Sequence, residues 1–442
     1  LDLDAYFCNW FLFYRAFNLE IFKITPMPSI LLKSAKILDS ESSYHLKTKD
    51  ILIENGVISQ IEDSINTGDR IITYENLHVS NGFFDSSVSF GEPGFEERET
   101  LANGVTTARR SGFTSFLLNP NLSPVTDSYS AVKFLQQQID PQLINIKPIG
   151  ALTKSFDGKN LAELYDMQMA GAVGFYDFKT SIKNANLLKI ALQYVKSFDG
   201  LIFSYPQDQF IAGMAQVNED EFTTYIGLKG IPNLAEELQM ARDLYILEYT
   251  GGKLHIPNIS TKASIQLIKE AKAKGLNVTS SVALPHLFFT SNRLETFDSK
   301  YKILPPLRTE DDCVALKQAV LDGTIDMVTS DHEPMDEEHK ELEFENASYG
   351  SIGLESAFSV LNSLFGVEKT SELLSKTKAH FGLETSKIEV NQRADLSLFE
   401  PNSEYKFQKE HIFSKSKNSI FLHENLKGKV LGSIYNNSFY EN

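Results

Sequence analysis

The chain has 442 residues, 42% of them hydrophobic and 23% charged, with a formal net charge of −16. That length admits one large α/β barrel of about 250 residues plus a smaller domain. The acidic balance argues against a nucleic-acid or anionic-membrane partner, which needs a basic surface. Two cysteines, Cys8 and Cys313, give neither a disulfide framework nor a cysteine-based zinc cluster, and suit a reducing cytoplasm.

The first 26 residues stand apart from the rest. The stretch Phe7 to Phe17 (FCNWFLFYRAF) is aromatic but too short to span a bilayer, and the acidic Asp2 and Asp4 before it are unlike the start of a signal peptide. Residues 1–26 are expected to be an extension ahead of a native start at Met27; the alternative is an amphipathic, partner-binding helix. Short strand-like runs follow: SILLKSAKIL, DILIENGVISQIED and RIITYENLHVS, with Glu54-Asn55-Gly56 as a hairpin turn. The C-terminal end has the same style, in ADLSLFEP (Ala394 to Pro401), SIFL (Ser419 to Leu422) and KVLGSIYNNSFY (Lys429 to Tyr440). Residues 27–80 and 385–442 are therefore expected to build one composite β-domain around residues 81–384.

The middle alternates. Apolar runs begin at Gly82, Phe113, Asn145, Ala172, Gly200, Gly252, Leu276 and Thr324, with helical patterns between most of them. One is TKASIQLIKEAKAKG, stopped by Gly275; another is NLAEELQMARDLYILEYTGG from Asn233. Eight strands alternating with helices predict an α/β fold, a (β/α)8 barrel. The acidic stretch Met335 to Glu345 reads most simply as a solvated loop after the last strand.

Chemistry in such a barrel sits where strands end. The first strand end is GFFDSSVSFGEPG (Gly82 to Gly94), which resembles the dihydroorotase signature GFID-x-HVHxREPG. The resemblance continues in order along the chain. NPNLSP from Asn119 is similar to the family's MPNTxP, AGAVGFYDF from Ala170 to GAxxFSDDG, and GLKGIP with AEELQMARDL to LPGIPxxAEExxxARDL. LHIPNIST from Leu254 resembles LHVxHVST, ILPPLRTEDD from Ile303 resembles VNPPLRSEED, and DGTIDMVTSDHEP from Asp322 resembles DGTIDxIATDHAPH. The chain is thus identified as a member of the dihydroorotase family in the amidohydrolase superfamily, from about Met27 to its end.

The resemblance implies reversible condensation of carbamoyl aspartate to dihydroorotate in pyrimidine synthesis. Zinc lowers the pKa of a bound water and polarises the carbonyl, and an Asp after strand eight moves the proton. The implied ligands are His-x-His after strand one, a His after strands five and six, and the final Asp. Here those histidine positions are Ser87, Ser89, Ser204 and Asn258. Serine hydroxyls and an asparagine amide are poor zinc ligands. Asp331 holds the proton-transfer position, and Asp177 the first Asp of the family's pair; the two are possible remnants able to hold Mg²⁺ or Ca²⁺ weakly. The family's substrate-clamping Arg is Gly91, the His of DHAPH is Met335 and the Asn of VNPPLR is Leu304; Asn121 alone matches the substrate-touching pattern.

Each retained residue also has a plainer reading. Asp331 and Asp177 serve as hydrogen-bonded carboxylates, with His332 paired to Asp331. Asn121 is as readily a turn residue, and His255 a packed one. Only His255, His286 and His332 lie near strand ends. No zinc or other cofactor is expected. The resemblance is closest to the subgroup that lacks the zinc histidines, implying a non-catalytic, homo-oligomeric structural partner of aspartate transcarbamoylase. The alternatives are an active zinc dihydroorotase or cyclic-amide hydrolase with a rebuilt metal site, and a small-molecule sensor.

Overall fold

The computed structural model describes residues 28–442, so the readings of residues 1–26 and of a start at Met27 lie outside the described residues. One sheet has eight strands and draws on both chain ends. From one edge it runs Ser438–Glu441, Asn425–Tyr435, Asp395–Lys406, His78–Asn81, Ile30–Leu38, Thr48–Glu54 and Val57–Glu62, and Arg70–Ile72 also pairs with Ile30–Leu38. The ends meet where Asp395–Lys406 runs antiparallel to His78–Asn81, with Leu396 opposite Asn81 and Phe399 opposite His78. Alternating side chains put Ile30, Leu32, Ile51, Ile53, Val79, Leu396, Leu398 and Ile434 into one buried layer. The predicted hairpin turn is present: Asn55 and Gly56 take φ of +51° and +78° between paired strands, which asparagine and glycine adopt at little cost.

Gly82 alone separates that sheet from the barrel, whose first strand is Phe83–Val88. Parallel pairing carries on through Phe113–Leu118 and Asn145–Pro148. A second parallel set is Leu201–Phe203, Lys253–Ile256, Val278–Ala283 and Met327–Thr329. Phe175 bridges the two sets by pairing with Gly150 and Ile202, and a bridge between Val88 and His332 closes the ring. The run from Ala172 is hydrogen-bonded to the strands on both sides over Val173 to Tyr176, with Phe175 as its bridging residue. The helices begin at polar caps, with Thr100, Ser128, Asn184, Thr261 and Thr309 each accepting a backbone N–H of its helix's first turn.

The barrel interior is filled from below by Phe84, Phe203, Met327, Phe381 and Leu383, and toward the mouth by Tyr176 and Tyr205. Two segments depart from the sequence reading. Ser419–Leu422 is a turn, held by hydrogen bonds from Leu422 N to Ser419 O and from Glu424 N to Phe421 O. Its apolar residues are buried without strand pairing, because Phe421 packs on Phe288 and Phe289. The acidic stretch after strand eight keeps its glutamates exposed, as read, but contains the short helix Glu337–Lys340 and is anchored inward at Lys340 and Phe344. Its Lys340 is buried and donates to Lys302 O and Ser348 O, while Lys302 donates to Phe344 O and Glu345 O. No helix among the described residues is long and apolar enough to cross a membrane.

Candidate functional site at the barrel mouth

Asp85, in the middle of the first strand, organises the mouth from beneath. Its buried carboxylate accepts from the Thr329 hydroxyl, from Ser330 N at 2.7 Å and from Ser87 N at 2.9 Å. It thereby ties strand one to the loop after strand eight, and burial raises its pKa. Above it, Ser87 Oγ donates to Asp331 Oδ1 at 3.1 Å, and Asn258 Nδ2 donates to the same oxygen at 2.9 Å. Asn119 Nδ2 lies 3.2 Å from Ser87 Oγ and 3.1 Å from Ser89 Oγ, and Ser89 Oγ donates to Asn121 Oδ1 at 3.1 Å. Ser87, Ser89, Asn121, Asn258 and Asp331 therefore form one hydrogen-bonded network.

The other predicted positions face elsewhere. Ser204 Oγ donates at 2.6 Å to Asp243, on the helix Asn233–Thr250. Asp177 accepts from Thr153 N at 2.8 Å and from the Thr153 hydroxyl; burial pushes its pKa up to about 6. His332 does not pair with Asp331. Its Nδ1 accepts from Gly353 N and Leu354 N at the start of the helix Leu354–Phe365, and burial lowers its pKa to about 3. His255 is packed between Phe203 and Phe381 and bonded to Thr279 and Ser281, and His286 bonds Pro305 O. Gly91 is closed to any side chain: a Cβ there would lie 1.8 Å from Phe95 O.

Two residues missed in the sequence complete the mouth. Lys179 Nζ lies 2.8 Å from Asp331 Oδ2 and 2.8 Å from Glu333 Oε2. All three side chains are nearly buried, at 8%, 11% and 9% exposure. Burial works against the Lys179 charge, but the two carboxylates outweigh it and hold its pKa above that of an ordinary lysine. Lys179, Asp331 and Asn258 take φ of +49°, +50° and +54°. Left-handed backbone costs a non-glycine residue roughly 1 kcal/mol, so the polar network pins three strained positions. The signal was in the motifs: where the family reads GAxxFSDDG and DHAPH, position 179 is Lys instead of Gly and position 333 is Glu instead of Ala.

Residues 78–264 match the family described as Dihydro-orotase-like. A dihydroorotase from Pelotomaculum thermopropionicum is 34% identical over 413 residues, spanning 92% of this chain and 96% of its own. One from Ruminiclostridium cellulolyticum is 36% identical over 402 residues, 89% of this chain and 94% of its own. This chain belongs to the dihydroorotase family. Its fold is shared with L-hydantoinase from Arthrobacter aurescens, at TM-score 0.81 and 20% identity over 93% of this chain and 96% of that one. It is the (β/α)8 amidohydrolase barrel with an attached β-sheet domain.

Family membership implies zinc, and the residues present do not fit it. Ser87, Ser89 and Asn258 offer neutral oxygens where imidazoles are needed, and Ser204 is turned to Asp243. Asp331 and Glu333 are already both engaged by the Lys179 ammonium. Among the described residues no three His, Cys, Asp or Glu side chains converge to hold a metal ion.

Proposed function

We propose that this chain is a dihydroorotase-family protein of cytoplasmic pyrimidine synthesis that has lost the carbamoyl aspartate–dihydroorotate reaction. It acts instead as a structural partner of aspartate transcarbamoylase. The observation that supports this most is the Lys179 ammonium lying between Asp331 and Glu333, beside serine and asparagine at the zinc-histidine positions. Without a metal-activated water, Asp331 has no proton to move productively. The buried motifs that shape the barrel are meanwhile kept, as a scaffold requires.

The relatives favour a second reading. Several proteins about one-third identical over nine-tenths of the chain are named dihydroorotase, so retained zinc-dependent activity with a rebuilt metal site is the competing assignment. Elemental analysis of protein purified with zinc, followed by a dihydroorotate turnover assay, separates the two. The proposal expects near-zero zinc, no turnover and co-purification with the transferase. Tightly held zinc with turnover abolished by Asp331→Ala would establish the competing reading. Failure to recover any transferase would remove the partner role.

A further inference from the structure

The helix Asn233–Thr250 is apolar on two opposite faces. One face, with Met240, Leu244 and Leu247, packs into the barrel core. The other carries Leu234, Leu238, Ala241, Tyr245 and Tyr249 and is open, the two leucines 54% and 48% exposed and the two tyrosines 76% and 75%. Steps of four, three, four and four residues keep all five on one side of the helix, as in the seam of a coiled coil. A helix apolar on both sides is normally covered on both. The next barrel helix, Lys262–Ala273, has the ordinary pattern and turns Lys262, Gln266, Lys269 and Glu270 outward.

The apolar patch continues past the helix. The loop before it is tied to the first turn by Asp208 N donating to Ala235 O at 2.7 Å, and carries Phe210, also largely exposed. Phe210 lies on the Arg242 flank of the stripe: Lys183 O accepts from Arg242 Nη1 at 3.3 Å, and the Lys183 ammonium is 5.6 Å from the Phe210 ring. Three open aromatic side chains offer on the order of 150 Å² each. With the leucines and Ala241, the patch comes to roughly 600–700 Å² per copy, more than a monomer ordinarily leaves open and close to the roughly 800 Å² per partner of a stable interface.

The order of residues along the stripe indicates what covers it. Read from the two ends inward, Leu234 matches Tyr249, Leu238 matches Tyr245, and the small Ala241 sits at the centre. Two such helices packed antiparallel about a two-fold axis near Ala241 set each leucine against a tyrosine of the other copy, and approach closest where the side chain is smallest. A two-fold contact requires this self-complementarity; a contact with an unrelated partner does not. Arg242, beside the axis, is paired with Asp243 at 2.7 Å and donates to Ile182 O at 2.6 Å, so its charge is engaged within its own copy. We propose that the helix Asn233–Thr250 is a homodimer interface, packed antiparallel on the same helix of a second copy of this chain. The interface depends on neither turnover nor transferase binding, so it stands or falls separately from the proposed function.

Sedimentation velocity on the full chain at micromolar concentration is the first test. Wild type is expected to run as a dimer. Leu238→Glu with Tyr245→Glu places two carboxylates from each copy in the seam, and should weaken the dimer at least about 100-fold, leaving a monomer with unchanged circular dichroism. Cross-linking with a short bismaleimide reads the orientation, in a Cys8→Ser background where the remaining native thiol, Cys313, is buried. Ala241→Cys, at the axis, should link two copies. Leu234→Cys should not, because the two thiols lie about 20 Å apart along the helices at 1.5 Å per residue; adding Tyr249→Cys to it should restore the link. Should the double glutamate variant not fold, the cysteine variants carry the test. A monomeric wild type, a dimer indifferent to the two glutamates, or a link at Leu234→Cys without one at Ala241→Cys would overturn the proposal. So would a monomer whose transferase binding is lost in the double glutamate variant, which assigns the stripe to that partner instead.

Discussion

Arg308 closes PPLR, one of the stretches this chain keeps intact, and replacing it tests why such stretches are kept. Its buried guanidinium donates to Ser260 Oγ at 3.0 Å, Asn218 Oδ1 at 2.9 Å, Ile231 O at 3.1 Å and Asn233 Oδ1 at 3.1 Å, and lies 3.5 Å from Glu236. Glu236 in turn accepts from Ser260 N at 2.8 Å, Thr261 N at 3.0 Å and the Ser260 hydroxyl. GLKGIP, AEE, the IST after strand six and PPLR therefore meet at a single buried ion pair. Removing one partner of such a pair costs about 3–5 kcal/mol, because the other charge is left buried. The three donors that stay on Glu236 place Arg308→Met near the lower end, about 3 kcal/mol. Urea unfolding at neutral pH measures this as a shift in midpoint. Adding Glu236→Gln removes the stranded charge and should recover at least about 1 kcal/mol, a non-additivity expected only of directly coupled groups. A loss below about 1 kcal/mol for Arg308→Met, or no recovery in the double variant, would refute the claim that these motifs are kept for this junction.

Three further outcomes are expected. His332 has its pKa lowered by burial to about 3 from 6.5, so between those values the unfolded chain takes up a proton that the folded chain refuses, and stability falls as pH falls. At pH 4.5 that amounts to about 3 kcal/mol; His332→Gln should shrink the difference in urea midpoint between pH 7 and pH 4.5 by a corresponding amount. Burial also lowers Lys340, to about 7 from 10.5, so stability should rise as pH goes from 7 toward 10, by about 2 kcal/mol at pH 9, and Lys340→Met should abolish that slope. Gly91→Ala places a Cβ against the Phe95 carbonyl, forces the 91–99 loop to shift, and should cost about 3 kcal/mol by the same unfolding assay.

The barrel was legible because its strand runs and helix caps are local signals. Thr261 and Gly275 bracket one helix, and the Asn55-Gly56 turn sets one hairpin, without reference to anything distant. What escaped depended on contacts far apart in the chain. SIFL has strand composition, yet its burial comes from Phe288 and Phe289, more than a hundred residues earlier, so no strand is needed. Neighbouring sequence position suggested that His332 pairs with Asp331, but the left-handed backbone at Asp331 sends the two side chains apart, one to the mouth and the other to the helix start at Leu354. Lys179 and Glu333 went unnoticed because each stands where the family has a residue without a functional side chain, and a search for lost ligands does not look there.

Those two residues change how the mouth is understood. A site that had only lost its histidines would leave Asp331 facing solvent-filled space with its partners gone. Here both oxygens of Asp331 have contacts: Ser87 and Asn258 on one, Lys179 on the other, with Glu333 sharing the ammonium. Glu333 makes sense only with Lys179 beside it. A lysine alone beside Asp331 would already satisfy one carboxylate, and a glutamate alone would add a second buried negative charge with nothing to balance it. The pairing of a new cation with a new anion, joined through the one catalytic-position carboxylate that remains, describes a mouth rebuilt as a structural junction. The intact Arg308–Glu236 junction meets it through the loop after strand six, where Asn258 bonds Asp331 and Ser260 bonds both Glu236 and Arg308, so loops around the barrel mouth are held by two internal ion-pair clusters.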